Sequence, residues 1–548
     1  MIDALAQIRA YHRATCHHFH SYARGPGELD WETQPDPFRR YAGAPLVPLD
    51  HVPLAESPAY ADVFGAGAVA PARVDRRSIS RFFEDALALS AWKEVGEARW
   101  SLRVDPSSGN LHPTEGYLLC GPIDGLTDVP MLAHYAPREH ALEVRAEVPR
   151  AAWEELRGSL PAGTFFVGIT SIAWREAWKY GERAFRYCQH DCGHVIACTA
   201  IAAAGLGWRT ALCDDLGAAD IENLLGTRAS RGVEAEEAEV LVAVVPERSE
   251  RPVLPRRAPG GFARLALVGT PNELSGDHVD WTAVEFAAEA TRKPRTEGAY
   301  AAERAVADVR DALPAGDAAL RGLVHGRRSA VAFDGKTEIA REEFFRTLAS
   351  TCRGPARALP WAPRVHFGLF VHRVRDVEPG LYAFVRDPDA LPLLRAAMEK
   401  PFAWKKPDGA PEGLPLFQLA AGDVRAVARS VACHQEIAAD GAFALAMLTE
   451  FDPALAQHGA WFYRRLFWEC GAVGQVLYLE AEAIGVRATG IGCFFDEPAH
   501  QVFGISTSRF RSLYHFTVGG PVDDPRLQTW PAYPPRDGPR DGPRDTAP

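Results

Sequence analysis

The chain holds 548 residues with a formal net charge of −11, and 47% of the residues are hydrophobic against 24% charged. That length exceeds one ordinary core and predicts two or more domains, while the acidic balance without a clustered Lys/Arg face excludes the footprint of a nucleic-acid binder. No window approaches the roughly 18 consecutive apolar residues of a membrane span, and the N-terminus lacks the features of a secretory signal, so no membrane partner is expected and a cytoplasmic setting is.

Residues 1–70 begin with a helical start and run on through "ARGPGELDWETQPDPFRRYAGAPLVPLD". Its Pro, Gly and aromatic residues predict an arm laid along a neighbouring surface. The "CHHFH" stretch at 16–20 is too tightly spaced for one helix to aim Cys16, His17, His18 and His20 at a single ion. It fits no zinc pattern, and no metal is expected. "GAGAVAP" (65–71) imitates a dinucleotide fingerprint but runs into proline rather than a helix.

From about residue 71 the pattern becomes periodic. It predicts a helix around 80–95, strands at "EGYLLCG", "ALEVRAEV" and "TFFVGITSI", a long helix over 175–205 and a closing strand "EVLVAVVP" at 239–246. In that long helix, Cys188/Cys192 and His190/His194 share faces at i, i+4; within such an apolar run the expected role is structural. Residues 261–320 read as a linker with helical sequence. The second half then predicts a helix over 338–350, strands "RVHFGLFVHRV", "GLYAFV" and "VRAVARSVAC", a long helix over 461–484 and a final "SLYHFTVGG". The tail "PPRDGPRDGPRDTAP" (534–548) repeats DGPR and is expected to be disordered. The ten cysteines are scattered without the dense spacing of a disulfide scaffold, as in a reducing compartment.

Two pairs of segments recur in the same order. "RRSISRFF" (76–83) matches "RRSAVAFD" (327–334), and "CGHVIACTAIAAAGLGWR" (192–209) matches "CGAVGQVLYLEAEAIGVR" (470–487). Such ordered self-similarity predicts a duplicated unit, with domains at 71–260 and 321–533. Arg-Arg-Ser at a helix start suits an anion: Ser caps the helix, free N–H groups point outward, and guanidinium forks match phosphate oxygens. For a single copy, a capped helix start facing solvent is the plain alternative. One loop occurs only once: "PSSGNLHP" (106–113), too polar for a core and too punctuated for a helix.

"RRSISRFF", "PSSGNLHP" and "KYGERAFRY" (179–187) in the first half, with "RRSAVAFD" and "GIGCF" (490–494) in the second, resemble the flavin-dependent nitroreductases, in particular their SagB-like thiazoline/oxazoline dehydrogenase branch. The resemblance covers roughly residues 71–250 and 320–530. It implies an α+β protein of two nitroreductase-like domains paired within one chain as a pseudo-dimer, with further oligomerisation open. The implied cofactor is FMN, with NAD(P)H as a candidate co-substrate and a small molecule or peptide as substrate.

In that family the phosphate anchor and the Gly-rich loop come from one subunit and the P-S-S-x-N loop from the other. Here "PARALPWAPRVHF" stands where the second half would carry its own P-S-S-x-N loop, and "GWRTALCDD" stands where the first half would carry its Gly-rich loop. The losses are complementary, so one composite site is expected. Arg327, Arg328, Ser329, Gly490, Ile491, Gly492 and Cys493 would face Pro106, Ser107, Ser108 and Asn110. Lys179 would act as a base and Tyr180 as a proton donor or acceptor. Arg76, Arg77 and Ser78 would form the matching anchor of a degenerate second site. The family's fourth basic residue is replaced by Ser80 and Val331, which nominates Arg526 as a substitute. A non-catalytic scaffold or peptide-binding partner that has lost flavin is the competing expectation.

Overall fold

The computed structural model describes residues 3–533 except 66, 247–252, 298–312, 314–315 and 355–357. The predicted tail at 534–548 therefore lies outside the described residues. The first half builds a sheet from β1 (Leu46–Pro48), β4 (Thr114–Cys120), β5 (Met131–Ala136), β6 (Ala141–Glu147), β7 (Phe165–Ile172), β8 (Arg209–Leu212) and β9 (Glu236–Val245), in spatial order β1-β6-β5-β4-β7-β9-β8. A small separate hairpin, β2 (Leu89–Val95) and β3 (Ala98–Arg103), precedes β4.

The second half builds β10 (Val365–Val371), β11 (Gly380–Phe384), β12 (Leu416–Ala421), β13 (Phe443–Glu450), β14 (Arg487–Ile491) and β15 (Phe510–Gly519), in order β12-β11-β10-β13-β15-β14. Apart from the edge strand β1, which the N-terminal arm supplies, the two orders are the same, strand for strand. Every pairing in both sheets is antiparallel.

The strands read as near-continuous apolar runs because both faces of each sheet are covered. On β4, Leu118 points into the large central core while Tyr117 and Leu119 point into an outer cluster with Trp153 and Leu224. On β10, Phe367 and Leu369 join the central core and Phe370 an outer one. The period-2 alternation thus serves two cores per sheet.

The central core belongs to both halves: Phe82, Val167 and Val195 share it with Phe367, Trp468 and Phe516. It is filled by two helices lying between the sheets, α4 (Ala184–Gly205) and α7 (Phe462–Ala483), each buried almost all round. A helix buried on every side, apolar over most of its surface and with its polar residues paired inside, needs that enclosure. Flanking them are α2 (Arg76–Leu87) on the first half and α6 (Arg341–Ser350) on the second.

The two long helices touch backbone to backbone where they cross. A Cβ on Gly471 would lie 2.1 Å from the His190 carbonyl oxygen and 2.9 Å from the Gly193 Cα; one on Gly193 would lie 2.3 Å from the Trp468 carbonyl oxygen. These are the two glycines that open the repeated Cys-Gly segments, so equivalent residues face each other.

Each terminus crosses to the opposite half. From α1 (Ala4–Ala14), Arg9 pairs with Asp452 at 2.9 Å, and the His17 N–H donates to Asp496 at 2.9 Å. At the far end, β16 (Gln528–Trp530) adds to β2 and makes a three-stranded sheet with β3.

Three sequence expectations need correction. The helix expected at 80–95 ends at Leu87, and Leu89–Val95 is a strand, turned by Gly96 at φ 60°. "VRAVARSVAC" forms a helix over Arg425–Val431 rather than a strand, with Ala428 and Val431 on its buried face. The helix over 175–205 is broken at Gly181 (φ 55°) into α3 (Ala173–Tyr180) and α4; a Cβ there would strike the Arg24 carbonyl at 2.5 Å. Among the described residues, no helix is long and apolar enough to cross a membrane.

The crossing yields a stability test. Gly471→Ala forces a methyl group into backbone with nowhere to move, so it should cost roughly 1–3 kcal/mol. Urea unfolding should show a lower midpoint with an unchanged slope. A wild-type midpoint would refute the close crossing.

Candidate functional site

A cleft of about 780 Å³ lies at the seam between the halves. One wall is the loop between β3 and β4, which presents Pro106, Ser107, Ser108, Gly109 and Asn110. Its geometry is fixed from behind. The Ser108 N–H and hydroxyl donate to the Asp191 carboxylate at 3.2 and 3.1 Å, and the Asn110 amide donates to the Ser101 carbonyl at 2.8 Å. The Ser107 hydroxyl accepts from the His112 N–H at 2.8 Å. Gly109 sits at φ 61° with the Tyr180 hydroxyl against it, where a Cβ would be only 2.6 Å from that oxygen. Tyr187, Asp191 and His194, one helical face of α4, line the floor with Tyr180 from α3.

The facing wall comes from the second half. Arg327, Arg328 and Ser329 follow α5 (Leu320–Gly326), and Gly490, Ile491, Gly492 and Cys493 end β14 and begin the loop after it. Tyr478 on α7 ties these pieces together: its hydroxyl bonds to Ser329 Oγ at 2.8 Å and accepts from the Gly490 N–H at 3.1 Å. Tyr514 and Tyr187 lie so close to Gly490 and Gly492 that a Cβ would meet them at 2.0 and 2.2 Å. Only glycine lets this strand end approach so closely.

Lys93, Arg327, Arg328 and Arg487 gather positive charge in the cleft. Arg327 is 4% exposed, donates to the carbonyls of Arg103 and Val104 at 3.0 and 3.3 Å, and lies over the Tyr478 ring. Burial, with repulsion from Arg327, pulls the Arg328 guanidinium down to about 10. Arg487 is held by Asp523 at 2.6 Å. Cations crowded against each other out of water favour an anion among them. Two buried carboxyls complete the polar lining: burial pushes Asp105 and Asp191 each up to about 7.

The structure brings most of the sequence-nominated residues to this one cleft and leaves five outside. Arg327–Ser329 lies after a helix end, so side chains rather than a helix N-terminus form the cationic cluster. Lys179 does not line the cleft; its ammonium sits 5.7 Å over the ring of Tyr180. Arg526 clamps Asp524 at 2.7 Å on an exposed turn. Arg76 and Arg77 pair with Asp50 and Glu56, and Ser78 closes a capping box with Asp75 at the start of α2. Lys93 and Arg487 supply the positive charge expected of Arg526. Sequence reading missed them, although Arg487 follows the repeated Gly-Val-Arg/Gly-Trp-Arg turn. His190 is buried against Tyr514 at 4.0 Å, hydrogen-bonds to the Leu513 carbonyl and lies outside the cleft wall, which His194 joins instead.

His12, Cys16 and Asp496 do cluster in the core, but Asp496 is bracketed by Arg183 and Arg186 at 3.2 and 3.0 Å. Those guanidiniums hold its carboxyl well below the usual carboxylate range against burial and supply the positive charge a metal would bring.

On the other side of the helix pair, described residues occupy the equivalent of the glycine wall. Counting from Gly193 and Gly471 sets Asp214 where Gly492 stands and Arg465 where Tyr187 stands, and these two form an ion pair at 2.9 Å. Residues 288–296 strap across them: the Lys293 carbonyl accepts from the Ala218 N–H at 2.9 Å, and its ammonium lies over Trp461. Beside this strap, Thr291, Lys293, Arg464 and Arg465 line a crevice of only about 10 Å³.

With this geometry in view, comparison with known proteins bears on the fold. A nitroreductase-family model matches residues 384–520. A solved protein assigned as a nitroreductase from Anabaena variabilis is 21% identical, with a TM-score of 0.68 over 94% of this chain and 99% of that one. At that identity the likeness shows the fold: this chain has a nitroreductase fold along nearly its whole length. A second assigned nitroreductase, from Ralstonia eutropha, is 15% identical over 39% of this chain and 89% of its own, with a TM-score of 0.27. The Escherichia coli microcin synthetase McbBCD complex with truncated pro-MccB17 bound is 15% identical over 44% of this chain and 92% of that one, with a TM-score of 0.26. No curated protein matches the chain.

The buried carboxyl of Asp191 sets a pH dependence. Its folded value, about 7, lies above the ordinary 3.8, so the fold favours the protonated form. Its contribution to stability is full below about pH 4 and is lost as pH rises toward 7. Asp191→Asn should therefore gain on the wild type between pH 4 and pH 8, by on the order of 1–3 kcal/mol in denaturant unfolding. A difference that does not change with pH would contradict this.

Proposed function

We propose that the chain is an FMN-dependent oxidoreductase of the SagB-like kind, built from two duplicated nitroreductase domains that pair as an intrachain pseudo-dimer around one working cleft. The observation that carries this reading is that Pro106–Asn110 from one half and Arg327–Ser329 with Gly490–Cys493 from the other converge on the same cavity, while Asp214 and Arg465 pair where Gly492 and Tyr187 have their counterparts. The shared strand order and the Gly193–Gly471 contact support duplication; equivalent residues meet where a two-fold axis passes.

The cleft suits FMN in size, charge and shape. Its volume lies within the roughly 300–1,000 Å³ of small-molecule sites. The buried guanidinium of Arg327 and the half-buried one of Arg328, with Ser329, Lys93 and Arg487, would hold the phosphate. Gly490 and Gly492 would let backbone N–H groups approach the ring, and Ser107, Ser108 and Asn110 would meet it from the opposite wall. When bound, FMN supplies hydride acceptance and donation at N5; the protein supplies placement and electrostatics.

Burial holds the Tyr180 phenol well above its ordinary value, so it stays protonated and is placed to give a proton to substrate. Asp191, poised near neutrality behind Ser108, can take up or release one within the same network. The Tyr180 role replaces the base once expected of Lys179. The substrate is a small molecule or a peptide, with NAD(P)H as the candidate source of hydride. An open, glycine-walled cleft with buried cations argues against the inert-scaffold alternative.

Titrating flavin-free protein with FMN tests the reading. Wild type should bind and turn yellow. Arg327→Ala and Arg328→Ala should weaken binding by roughly 10–100-fold and lose the preference for FMN over riboflavin, as expected for a charged hydrogen bond to phosphate. Arg77→Ala and Arg526→Ala should bind as wild type. Failure of the wild type to take up flavin, or equal loss in all four variants, would overturn it.

A further inference from the structure

Ten cysteines are present, and eight of them are buried; Cys433 and Cys493 are the two that are half-buried. Their Sγ atoms lie 2.8 Å apart, one thiol hydrogen-bonded to the other, although 60 residues separate them. Cys493 also lines the cleft.

The two chain segments are clamped on both sides of the pair. The Phe495 N–H donates to the Val431 carbonyl at 2.8 Å, and the Gln435 amide donates to the Cys493 carbonyl at 3.0 Å. Cys433 and His434 are held at φ 51° and 60°, in the left-handed region that non-glycine residues rarely occupy. Such strain persists only where the surroundings dictate it. The pair is therefore pre-positioned: a disulfide, at about 2.0 Å, needs less than about 1 Å of further approach.

The two sulfurs are not equivalent. The hydrogen bond shared with Cys433, then His17 and the Arg183 guanidinium, which donates to the adjoining Gly492 carbonyl at 3.0 Å, favour the thiolate at Cys493 against the effect of burial. Cys433 is pushed in the opposite direction by the same hydrogen bond and by burial. Tyr22 and Tyr187 also face this corner, and Asp496 lies behind it; Asp496 opposes ionisation and is itself neutralised by Arg183 and Arg186. By contrast, burial raises the thiols of Cys16, Cys120, Cys188, Cys192, Cys198, Cys213 and Cys470, which are inert positions.

We propose that Cys433 and Cys493 are a redox-active dithiol on the wall of the cleft, with Cys493 as the attacking thiolate and Cys433 as the resolving thiol, oxidised by a hydroperoxide to an intrachain disulfide. In the first step the Cys493 thiolate attacks one peroxide oxygen. The S–O bond forms, the O–O bond breaks, and the departing oxygen takes a proton and leaves as an alcohol, or as water when hydrogen peroxide is the oxidant. In the second, Cys433 loses its proton and attacks the sulfenic sulfur; the S–S bond forms and the S–O bond breaks, releasing water. Two electrons pass from the two thiols to the peroxide. The site does not depend on the flavin reading. Closing it would join the Gly-rich wall covalently to the 433 segment.

Purified protein, reduced with dithiothreitol and desalted, is exposed to a small excess of hydrogen peroxide, alkylated with iodoacetamide, digested and analysed by mass spectrometry. The expected result is loss of alkylation at Cys433 and Cys493 together, a cross-linked peptide pair lighter by two hydrogens, and recovery of both thiols with dithiothreitol. In Cys433→Ser, Cys493 should stop at sulfenic acid and be captured by dimedone. The wild-type experiment decides the matter even if that variant folds poorly. Both thiols still alkylatable after peroxide would overturn the proposal, as would Cys493 running on to sulfinic acid with Cys433 untouched.

Discussion

The close crossing of α4 and α7 governs the rest of the molecule. With no side chain at Gly193 or Gly471, the two helix backbones come into contact, and each sheet then lies against one continuous buried layer. The crossing sets how far apart the first-half loop and the second-half strand end lie, and hence the width of the cleft. Neither half could enclose its long helix alone, because both helices are buried on nearly every side. The terminal crossovers reinforce the same pairing, with α1 reaching the second half and β16 the first.

The two sides of the helix pair nonetheless differ in chemistry. Asp191 and Glu469 are counterparts by the glycine alignment, yet their surroundings differ. Glu469 is tied down by Arg386 at 2.6 Å, by the Trp361 ring N–H and by the backbone of Arg364 and Val365. Asp191 meets the Ser107 and Ser108 hydroxyls and the Ser108 N–H rather than a guanidinium, and so its carboxyl rises with burial. A buried carboxylate locked to an arginine is structural, and breaking it would be costly. One left near neutrality beside an open cleft has chemistry available to it. The same contrast separates Gly492, which leaves room, from Asp214, which fills the corresponding position with a side chain paired to Arg465.

Much of this was legible in the sequence because the residues involved are locally specific. "PSSGNLHP" has a composition only a built loop requires, and the paired Cys-Gly helices revealed the repeat before any contact was known. Boundaries were harder to read. The stretch after Leu87 carries helix-forming Ala, Lys and Glu residues, but the hairpin turn at Gly96 and pairing with Trp530 draw it into a strand. "VRAVARSVAC" alternates like a strand, yet Val424, Ala428 and Val431 lie on one buried helical face. Lys179 fits its motif but not the site, since the break at Gly181 leaves it outside the cleft while Tyr180 remains on its wall. The plug at 288–296 and the approach of Cys433 to Cys493 were not legible at all, because each joins segments that share no local pattern.

The central claim is that two halves jointly make one cofactor cleft and that its counterpart is closed. The most direct measurement is the stoichiometry of FMN binding to the intact chain by calorimetric titration, with protein concentration fixed by amino-acid analysis. One FMN per chain is the predicted result. Two equivalent sites per chain would show that the strapped location opens and would contradict the account.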